Sequence, residues 1–288
     1  MNYYYIILRL IKRSIKKFLQ LITLKKSKNE KRIIITTNNY KVTIPEDLIW
    51  AYSSGDYYEQ NVIYFLDQIV KSYHDPIMLD IGANCGYYSV RYSNLCKQIF
   101  SFEPVSNTYK ILKKNIKRNS ICNVISLKIG LSDINEIRTI NLYNSCGNNS
   151  LFERKVPIDH SLKKIGIETI ELKNLDNLVQ IGKIPIPNII KIDVEGAELK
   201  VLKGAKKTIS HYRPTILLEY SENTSNDAGY SNELLLNILD LTEYNIYGIP
   251  ENEKDFYLVK EADFNKYKIA NLIFLPTELD TYFKHAAS

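Results

Sequence analysis

The sequence predicts a single α/β domain organised around residues 78–89, MLDIGANCGYYS. An apolar run ends there at Asp80, and Gly82 and Gly86 follow, four residues apart, before an amphipathic segment. This order predicts a strand, a tight glycine turn and the start of a helix. Downstream, apolar strand-like runs alternate with helical patterns, which is typical of one sheet flanked by helices.

The other elements follow from apolar periodicity. A hairpin is predicted at residues 33–44, with its turn at Asn38 and Asn39. Helices are predicted at 57–73, 87–95, 106–118 and 234–241, with Ser106 as the N-cap of the third. A further helix is predicted to follow Glu198 and to end at about residue 209. Strands are predicted at 98–102, 124–129, 188–194, 214–220, 244–249, 256–259 and 272–275. Residues 135–143 and 167–173 alternate like strands of a sheet extension, and the polar segment 144–165 between them predicts a mobile loop near the active site.

Charge divides the chain into a basic extension, residues 1–32, and one domain, residues 33–288, with a core at about 73–221. The net charge is +6, but residues 1–32 contain ten Lys or Arg and only one acid, Glu30, so the remainder carries −3. A nucleic-acid partner is therefore not predicted for the body of the protein.

Residues 3–24 combine apolar positions at helical spacing with five basic residues, which excludes a bilayer span and a secretory signal. Three interpretations stay open for this amphipathic helix: peripheral contact with a membrane surface, packing on the body or on a partner subunit, and contact with nucleic acid. The expected location is cytoplasmic, at the inner face of the membrane in the first case. The four cysteines form no CxxC pair, which favours free thiols in a reducing compartment.

Two acids and two glycines form the candidate cofactor site. Asp80 and Glu103 end the first and second core strands, at the edge where open α/β sheets bind ligands. An acid at the second position can accept hydrogen bonds from a ribose diol. The order D-x-G-x-x-x-G departs from the dinucleotide fingerprint, and Asp80 would repel a pyrophosphate. A cationic cofactor without phosphates fits better, and S-adenosylmethionine has that character.

Five segments carry a resemblance to a known family: MLDIGANCGYYS, FSFEP, LKIGLSD, IIKIDVEGAELKVLKGA and ILLEY. Together they resemble the FkbM-type family of S-adenosylmethionine-dependent methyltransferases over roughly residues 73–221. The resemblance implies the seven-stranded, Rossmann-like sheet of class I methyltransferases and O-methylation of a hydroxyl on a sugar, glycolipid or related small molecule. It also implies that Ser132 and Asp133 lie near the adenine and that the cofactor is held by Asp80, Gly82, Ala83, Asn84, Gly86, Glu103 and Asp193.

The resemblance places Asp193 and Glu195 beside the methyl group and the acceptor. Because they are two residues apart, an extended chain would aim both to the same side. Glu219, near the end of the next strand, is a further candidate catalytic residue. Glu198 is expected to serve the helix N-terminus, and the same capping role is the alternative for Glu195.

The methyl acceptor is restricted by what the sequence lacks. The sequence has no Asn/Asp-Pro-Pro-aromatic turn, which usually serves methylation of exocyclic base amines. It also has no Pro-Cys dipeptide, which would supply a nucleophile for methylation of ring carbons. The four histidines are scattered, so no metal is predicted, with an acidic Mg²⁺ site at Asp193 and its neighbours as the alternative. The sequence thus predicts an O-methyltransferase; the rival hypothesis is a catalytically inactive, membrane-associated binding protein with the same fold.

Overall fold

The computed structural model describes residues 33–36, 38–49, 59–155, 162–239, 242–251 and 257–282. The basic extension lies outside the described residues, and so does the prediction of an amphipathic helix at residues 3–24. Within the described residues, no helix is long and apolar enough to cross a membrane.

The chain alternates strands and helices, as predicted. The strands are β1 (Ile33–Ile35), β2 (Lys41–Thr43), β3 (Ile77–Ile81), β4 (Gln98–Phe102), β5 (Val124–Leu127), β6 (Gly130–Leu131), β7 (Glu136–Tyr143), β8 (Lys164–Lys173), β9 (Ile189–Ile192), β10 (Thr215–Glu219), β11 (Tyr244–Pro250), β12 (Val259–Lys260) and β13 (Ile269–Pro276). The α-helices are α1 (Gln60–Ser72), α2 (Tyr87–Tyr92), α3 (Ser106–Arg118), α4 (Leu175–Gln180), α5 (Glu198–Gly204), α6 (Lys206–Tyr212), α7 (Glu222–Ala228) and α8 (Glu233–Asn237).

Eight strands form the main sheet, in the spatial order β12-β11-β13-β10-β9-β3-β4-β5. The five strands from β10 to β5 run parallel, whereas β13 is antiparallel to both β10 and β11. Seven of these strands make the predicted sheet, and the two-residue β12 is added at its edge. The chain leaves β3 toward β4 and β5 and returns to β9 on the other side of β3, which creates a switch point where open α/β sheets bind ligands.

The two faces of the main sheet are covered by separate apolar clusters. On one face, α1 and α2 contribute fully buried side chains such as Phe65, Leu66 and Tyr92. On the other face, the helices α4, α5 and α6 contribute Leu175, Leu202 and Ile209. Both faces of the parallel strands are therefore buried, which explains why strands such as β9 (IIKI) are almost continuously apolar.

The predicted sheet extension is instead a separate sheet of three strands, in the order β6-β8-β7. It is joined to α3 by Glu168, whose carboxylate accepts hydrogen bonds from the backbone N–H and the hydroxyl of Ser106. Ser106 is the first residue of α3 and the cap position is Val105, so the prediction of Ser106 as N-cap is wrong. The carboxylate that accepts the hydrogen bond from the first N–H of α3 is thus that of Glu168 on the second sheet, and not a group of Ser106 itself.

The predicted hairpin is confirmed, with β1 and β2 paired antiparallel. It packs on α3, where the buried side chain of Asn115 bonds both the N–H and the C=O of Thr43. The helix at 106–118 has the predicted bounds, those at 57–73 and 87–95 are found at Gln60–Ser72 and Tyr87–Tyr92, and the one at 234–241 is found at Glu233–Asn237. The helix after Glu198 is divided into α5 and α6 and ends at Tyr212. The sequence did not predict α4 or α7.

Candidate active site

A cavity of about 170 Å³ opens at the carboxyl ends of β3, β4, β9 and β10. It lies at the switch point of the sheet, next to β3. Among the residues that line it are Gly82, Asn84, Glu103, Asp193, Glu195 and Glu219. The structure therefore brings together the ends of four strands that are far apart in the sequence.

The glycine turn after β3 is shaped by the backbone around it. Gly82 has φ +82°, and a Cβ there would lie 1.7 Å from the carbonyl oxygen of Asp193. At Gly86, with φ +81°, a Cβ would lie 2.3 Å from Leu112 Cδ1. Both glycines were predicted to keep space open for a ligand, but these contacts show that they are needed for close packing within the protein. Gly82, Ala83 and Asn84 line the cavity, whereas Gly86 is the N-cap of α2.

Glu103 fixes the turn and also faces the cavity. Its Oε2 accepts from the backbone N–H of Asn84 at 2.9 Å, and its Oε1 accepts from Val105 N at 2.9 Å and Thr108 Oγ1 at 2.7 Å. Burial raises the pKa of Glu103 to about 7, although these donors act in the opposite direction. A carboxylate can accept about four hydrogen bonds, so capacity for a hydroxyl remains at Oε2.

Asp80 lies below the cavity and is not part of its lining. The residue is 1% exposed, and its Oδ2 accepts from Ser89 Oγ at 2.5 Å while Oδ1 has no partner among the described residues. Burial raises the pKa of Asp80, and Lys191 acts against this rise. Asp80 therefore bonds the helix α2 through Ser89 and lies outside the cavity lining, and its predicted contact with the cofactor stays a prediction.

Ser132 and Asp133 also lie away from the cavity lining. Ser132 is completely buried, and its hydroxyl donates to Asp133 Oδ1. Asp133 pairs with Lys200 at 3.2 Å. The backbone carbonyl of Ser132 approaches Gly204 of α5 so closely that a Cβ there would lie 2.0 Å away. The structure does not bring these two residues beside the cavity, and their predicted position near the adenine receives no support from it.

Asp193, Glu195 and Glu219 form one cluster on the cavity wall. Each offers a carboxylate oxygen within 4.8 Å of the others. Burial and the charges of Glu195 and Asp193 raise the pKa of Glu219 well above its usual value, and Glu219 Oε2 has no hydrogen-bond partner among the described residues. The choice between no metal and an acidic Mg²⁺ site stays a prediction.

Two buried cations hold this acidic cluster. Lys191 Nζ lies 2.9 Å from Asp193 Oδ2 and 4.6 Å from the centroid of the Tyr88 ring. Burial would lower the pKa of Lys191, but the charges of Asp193 and Asp80 raise it, and the net change in the pKa is upward. Arg154 contacts the carboxylate of Glu195. A quarter of the Glu195 side chain is exposed, yet burial raises its pKa to about 8, against the lowering effect of Arg154.

Glu198 serves the turn that leads into α5, as predicted. Its carboxylate accepts from the N–H groups of Val194 and Gly196 and from the hydroxyl of Tyr230. The alternative capping role for Glu195 is not observed, because the carboxylate of Glu195 lines the cavity instead.

Several residues of the site had no assigned role in the sequence. Lys191 carried a signal, since it is a lone charge inside an apolar strand. Arg154 and Cys146 carried none, because they belong to the polar segment between β7 and β8, whose fold depends on distant contacts. That segment does lie at the site: Cys146, Gly147 and Asn149 line the cavity.

The parallel strands, the antiparallel β13 and the cavity at the switch point define a class I methyltransferase fold. The sequence matches the family described as the methyltransferase FkbM domain over residues 80–247, more than half of the chain. The protein belongs to this family, which confirms the resemblance seen in the sequence, and S-adenosylmethionine is the cofactor of such enzymes.

Two relatives with similar sequences are named as methyltransferases, and one solved structure is reported beside them. The hexuronic acid methyltransferase AglP of Haloferax volcanii is 34% identical over 148 residues, which cover 51% of this chain and 56% of that protein. Methyltransferase sdnD of Sordaria araneosa is 31% identical over 45% of this chain and 60% of that protein. The crystal structure of methyltransferase FkbM from Methylobacillus flagellatus matches 69% of this chain and 43% of that chain, with 19% identity and a TM-score of 0.45. The chain thus spans less than two thirds of the length of these relatives.

The residues of the cavity fit S-adenosylmethionine. Glu103 keeps acceptor capacity on the cavity side, as a ribose requires. The acidic cluster suits the positive sulfonium and amino groups, and both cations near it are already paired with carboxylates. A phosphate-bearing cofactor would instead face these acids without a free cation among the described lining residues.

Proposed function

We propose that this protein transfers the methyl group of S-adenosylmethionine to a hydroxyl oxygen of a sugar, a glycolipid or a related small molecule. The observation that carries the proposal is the cluster of Asp193, Glu195 and Glu219 on the wall of the cofactor cavity. The name of the Haloferax relative, a hexuronic acid methyltransferase, supports an acceptor of the sugar class.

The residues at the ends of β3 and β4 would hold the cofactor. Glu103 would accept hydrogen bonds from the ribose hydroxyls, and the turn at Ala83 and Asn84 would contact the adenosine. When bound, the cofactor would supply an electrophilic methyl group. The residues at the ends of β9 and β10 border the same cavity and would be the ones available to the acceptor.

An acceptor hydroxyl must lose its proton as the new bond to oxygen forms. Asp193, Glu195 and Glu219 are the candidate proton acceptors, since all three border the cavity. Lys191 is not a candidate for this role, because its Nζ is paired with Asp193 Oδ2 at 2.9 Å and orients that carboxylate. General base catalysis contributes about 10²–10⁴-fold, and the positioning of the acceptor contributes as well.

The test is transfer of radiolabel from methyl-labelled S-adenosylmethionine to a panel of methyl glycosides of hexoses, amino sugars and hexuronic acids. We expect an O-methylated product, identified by mass spectrometry. In the Asp193→Asn and Glu195→Gln proteins, kcat should fall by about 10²–10⁴-fold while cofactor affinity stays within a few fold.

A matched surface variant, Glu171→Gln, controls for the loss of a carboxylate as such, because Glu171 pairs with Lys173 on the second sheet. Two results contradict the proposal. Absence of transfer to every glycoside, with cofactor bound, would favour the inactive binding protein. Normal turnover in both active-site variants would show that neither carboxylate is the base.

A further inference from the structure

The polar segment after β7 reaches the active site through one buried arginine. The Arg154 side chain is 2% exposed and contacts the carboxylate of Glu195, while its Nη1 lies 3.5 Å from Asp227 Oδ2 on α7. Arg154 does not line the cavity. Any effect of Arg154 on the reaction must therefore act through its contact with Glu195.

Arg154 is itself held on both sides. Its backbone N–H donates to the hydroxyl of Tyr143 at 2.9 Å, at the end of β7. The next N–H, that of Lys155, donates to Asp227 Oδ1 at 2.9 Å. The backbone of Arg154 is thus fixed between the second sheet and α7, and its Nη2 donates to the carboxylate of Glu195 and to the Asn148 carbonyl. Its Nε and Nη1 have no hydrogen-bond partner among the described residues.

The same segment also holds the backbone of Glu195. The Ser150 hydroxyl donates to the Glu195 carbonyl oxygen at 2.6 Å. Glu195 has φ +56°, a left-handed conformation that is unfavourable for a residue with a Cβ and that needs such contacts to persist. Ser150 and Arg154 therefore bind opposite ends of one residue, its carbonyl and its carboxylate.

The charges around Glu195 explain why a cation is needed there. The carboxyl groups of Asp193, Glu198 and Glu219 surround it, and burial further disfavours its ionised form. Arg154 is the cation in contact with its carboxylate, and Asp227 shares that cation. We propose that Arg154 is a positioning residue that aims Glu195 into the cavity and keeps its ionised form available for the reaction, with Asp227 limiting that effect. The inference rests on the proposed function only in taking Glu195 as a proton acceptor.

Opposite changes in the titration of Glu195 test this arrangement. In protein labelled with ¹³C at the Glu carboxyls, the Glu195 signal is assigned by its loss in Glu195→Gln. Arg154→Gln should raise the pKa of Glu195, because the favourable cation is lost. Asp227→Asn should lower the pKa of Glu195, because one acid is removed and Arg154 then pairs with Glu195 only. The asparagine oxygen can still accept the hydrogen bond from the N–H of Lys155.

The pH dependence of methyl transfer should shift in the same direction as the pKa of Glu195. With a glycoside that the wild-type protein methylates, Arg154→Gln should lower kcat about 10- to 100-fold at neutral pH and move the acidic limb of the pH profile upward. Asp227→Asn should move that limb downward. Arg154→Lys keeps the charge but not the planar fork, so it should recover part of the loss. Cofactor affinity should stay within a few fold throughout.

Two further proteins separate positioning from loss of structure. Arg154→Gln leaves Asp227 buried without its cation, so the double variant Arg154→Gln/Asp227→Asn removes both charges and should still show a raised Glu195 pKa relative to Asp227→Asn. Arg91→Gln removes another buried arginine, which contacts Asp67 at 3.4 Å away from the site, and should leave the Glu195 titration unchanged.

The inference is overturned if the Glu195 signal titrates alike in wild-type and folded Arg154→Gln proteins. It is also overturned if the signal shifts but the pH profile of transfer does not. Absence of transfer in the wild-type protein would count against the proposed function alone, because the carboxyl titration would still show whether Arg154 controls Glu195.

Discussion

Gly82 is the residue at which the packing of the fold and the cofactor cavity depend on each other. It lines the cavity, and its missing side chain lets the turn after β3 lie against the carbonyl of Asp193. The turn is fixed by hydrogen bonds from Gly82 N and Ala83 N to the Phe102 carbonyl, both at 3.0 Å. The absence of a side chain at Gly82 thus sets how closely the turn after β3 approaches the backbone of Asp193.

Replacing Gly82 by alanine should therefore disturb both stability and the site. The added Cβ would overlap the Asp193 carbonyl, and φ +82° is strained for alanine. We expect the free energy of unfolding to fall by roughly 2–4 kcal/mol in denaturant titrations. The matched control is Gly166→Ala, since a Cβ there would meet nothing within 4 Å, and it should change stability by less than about 0.5 kcal/mol. Equal losses in the two proteins would contradict this explanation.

At the scale of elements, helices and strands with a clear local pattern could be predicted from the sequence, whereas those that depend on tertiary contacts could not. The sequence predicted β4 and α3 with the bounds observed, 98–102 and 106–118, because apolar spacing and the flanking turn agree there. It did not predict α7, whose sequence ENTSNDA has no apolar stripe and which begins at a cap from Ser221. Nor could it predict that β7 and β8 form their own sheet, because that pairing depends on contacts made across the fold.

The hairpin of β1 and β2 offers a test of such a tertiary contact. Asn115 on α3 makes three buried hydrogen bonds, two with Thr43 and one with the Cys85 carbonyl. Asn115→Ala should lower the free energy of unfolding by about 2–4 kcal/mol, because buried backbone groups lose their partners. Amide hydrogen exchange in β2 should also become faster.

The control for this prediction is Asn119→Ala, one helical turn later on α3. Asn119 makes the corresponding bonds to the N–H and C=O of Lys41, but in an exposed position. Its loss should cost less than about 1 kcal/mol, since water can replace the lost partners. If both substitutions cost the same, burial is not what makes Asn115 important.

At the scale of the whole molecule, the sequence predicted which strand ends come together at the site. It did not predict which residues from other segments contact the side chains at those strand ends. Asp193, Glu195 and Glu219 could be chosen because parallel strands present their carboxyl ends at one edge. Arg154 is 41 residues from Glu195 in the chain and enters the site from a segment without periodic pattern. Asp80 and Ser132 are buried and Asp133 pairs with Lys200, so none of the three lines the cavity, and their predicted contacts with the cofactor stay predictions.

The basic extension yields a prediction about the full chain. If residues 3–24 contact a membrane surface, each basic residue near an anionic lipid contributes about 1 kcal/mol. Deleting residues 1–30 should then abolish co-sedimentation with anionic vesicles and leave methyl transfer to a soluble glycoside unchanged. Full-length protein that fails to sediment with such vesicles at low salt would favour packing on the body or on a partner subunit.

The central claim is that the cavity between Gly82, Glu103 and Asp193 holds the cofactor. The most direct measurement is a crystal structure of the full chain with S-adenosylhomocysteine, whose binding is first established by calorimetry. The account predicts the ribose hydroxyls within hydrogen-bonding distance of Glu103 Oε2, and the sulfur facing Asp193 and Glu195. Binding outside this cavity, or no heat of binding at saturating ligand, would contradict it.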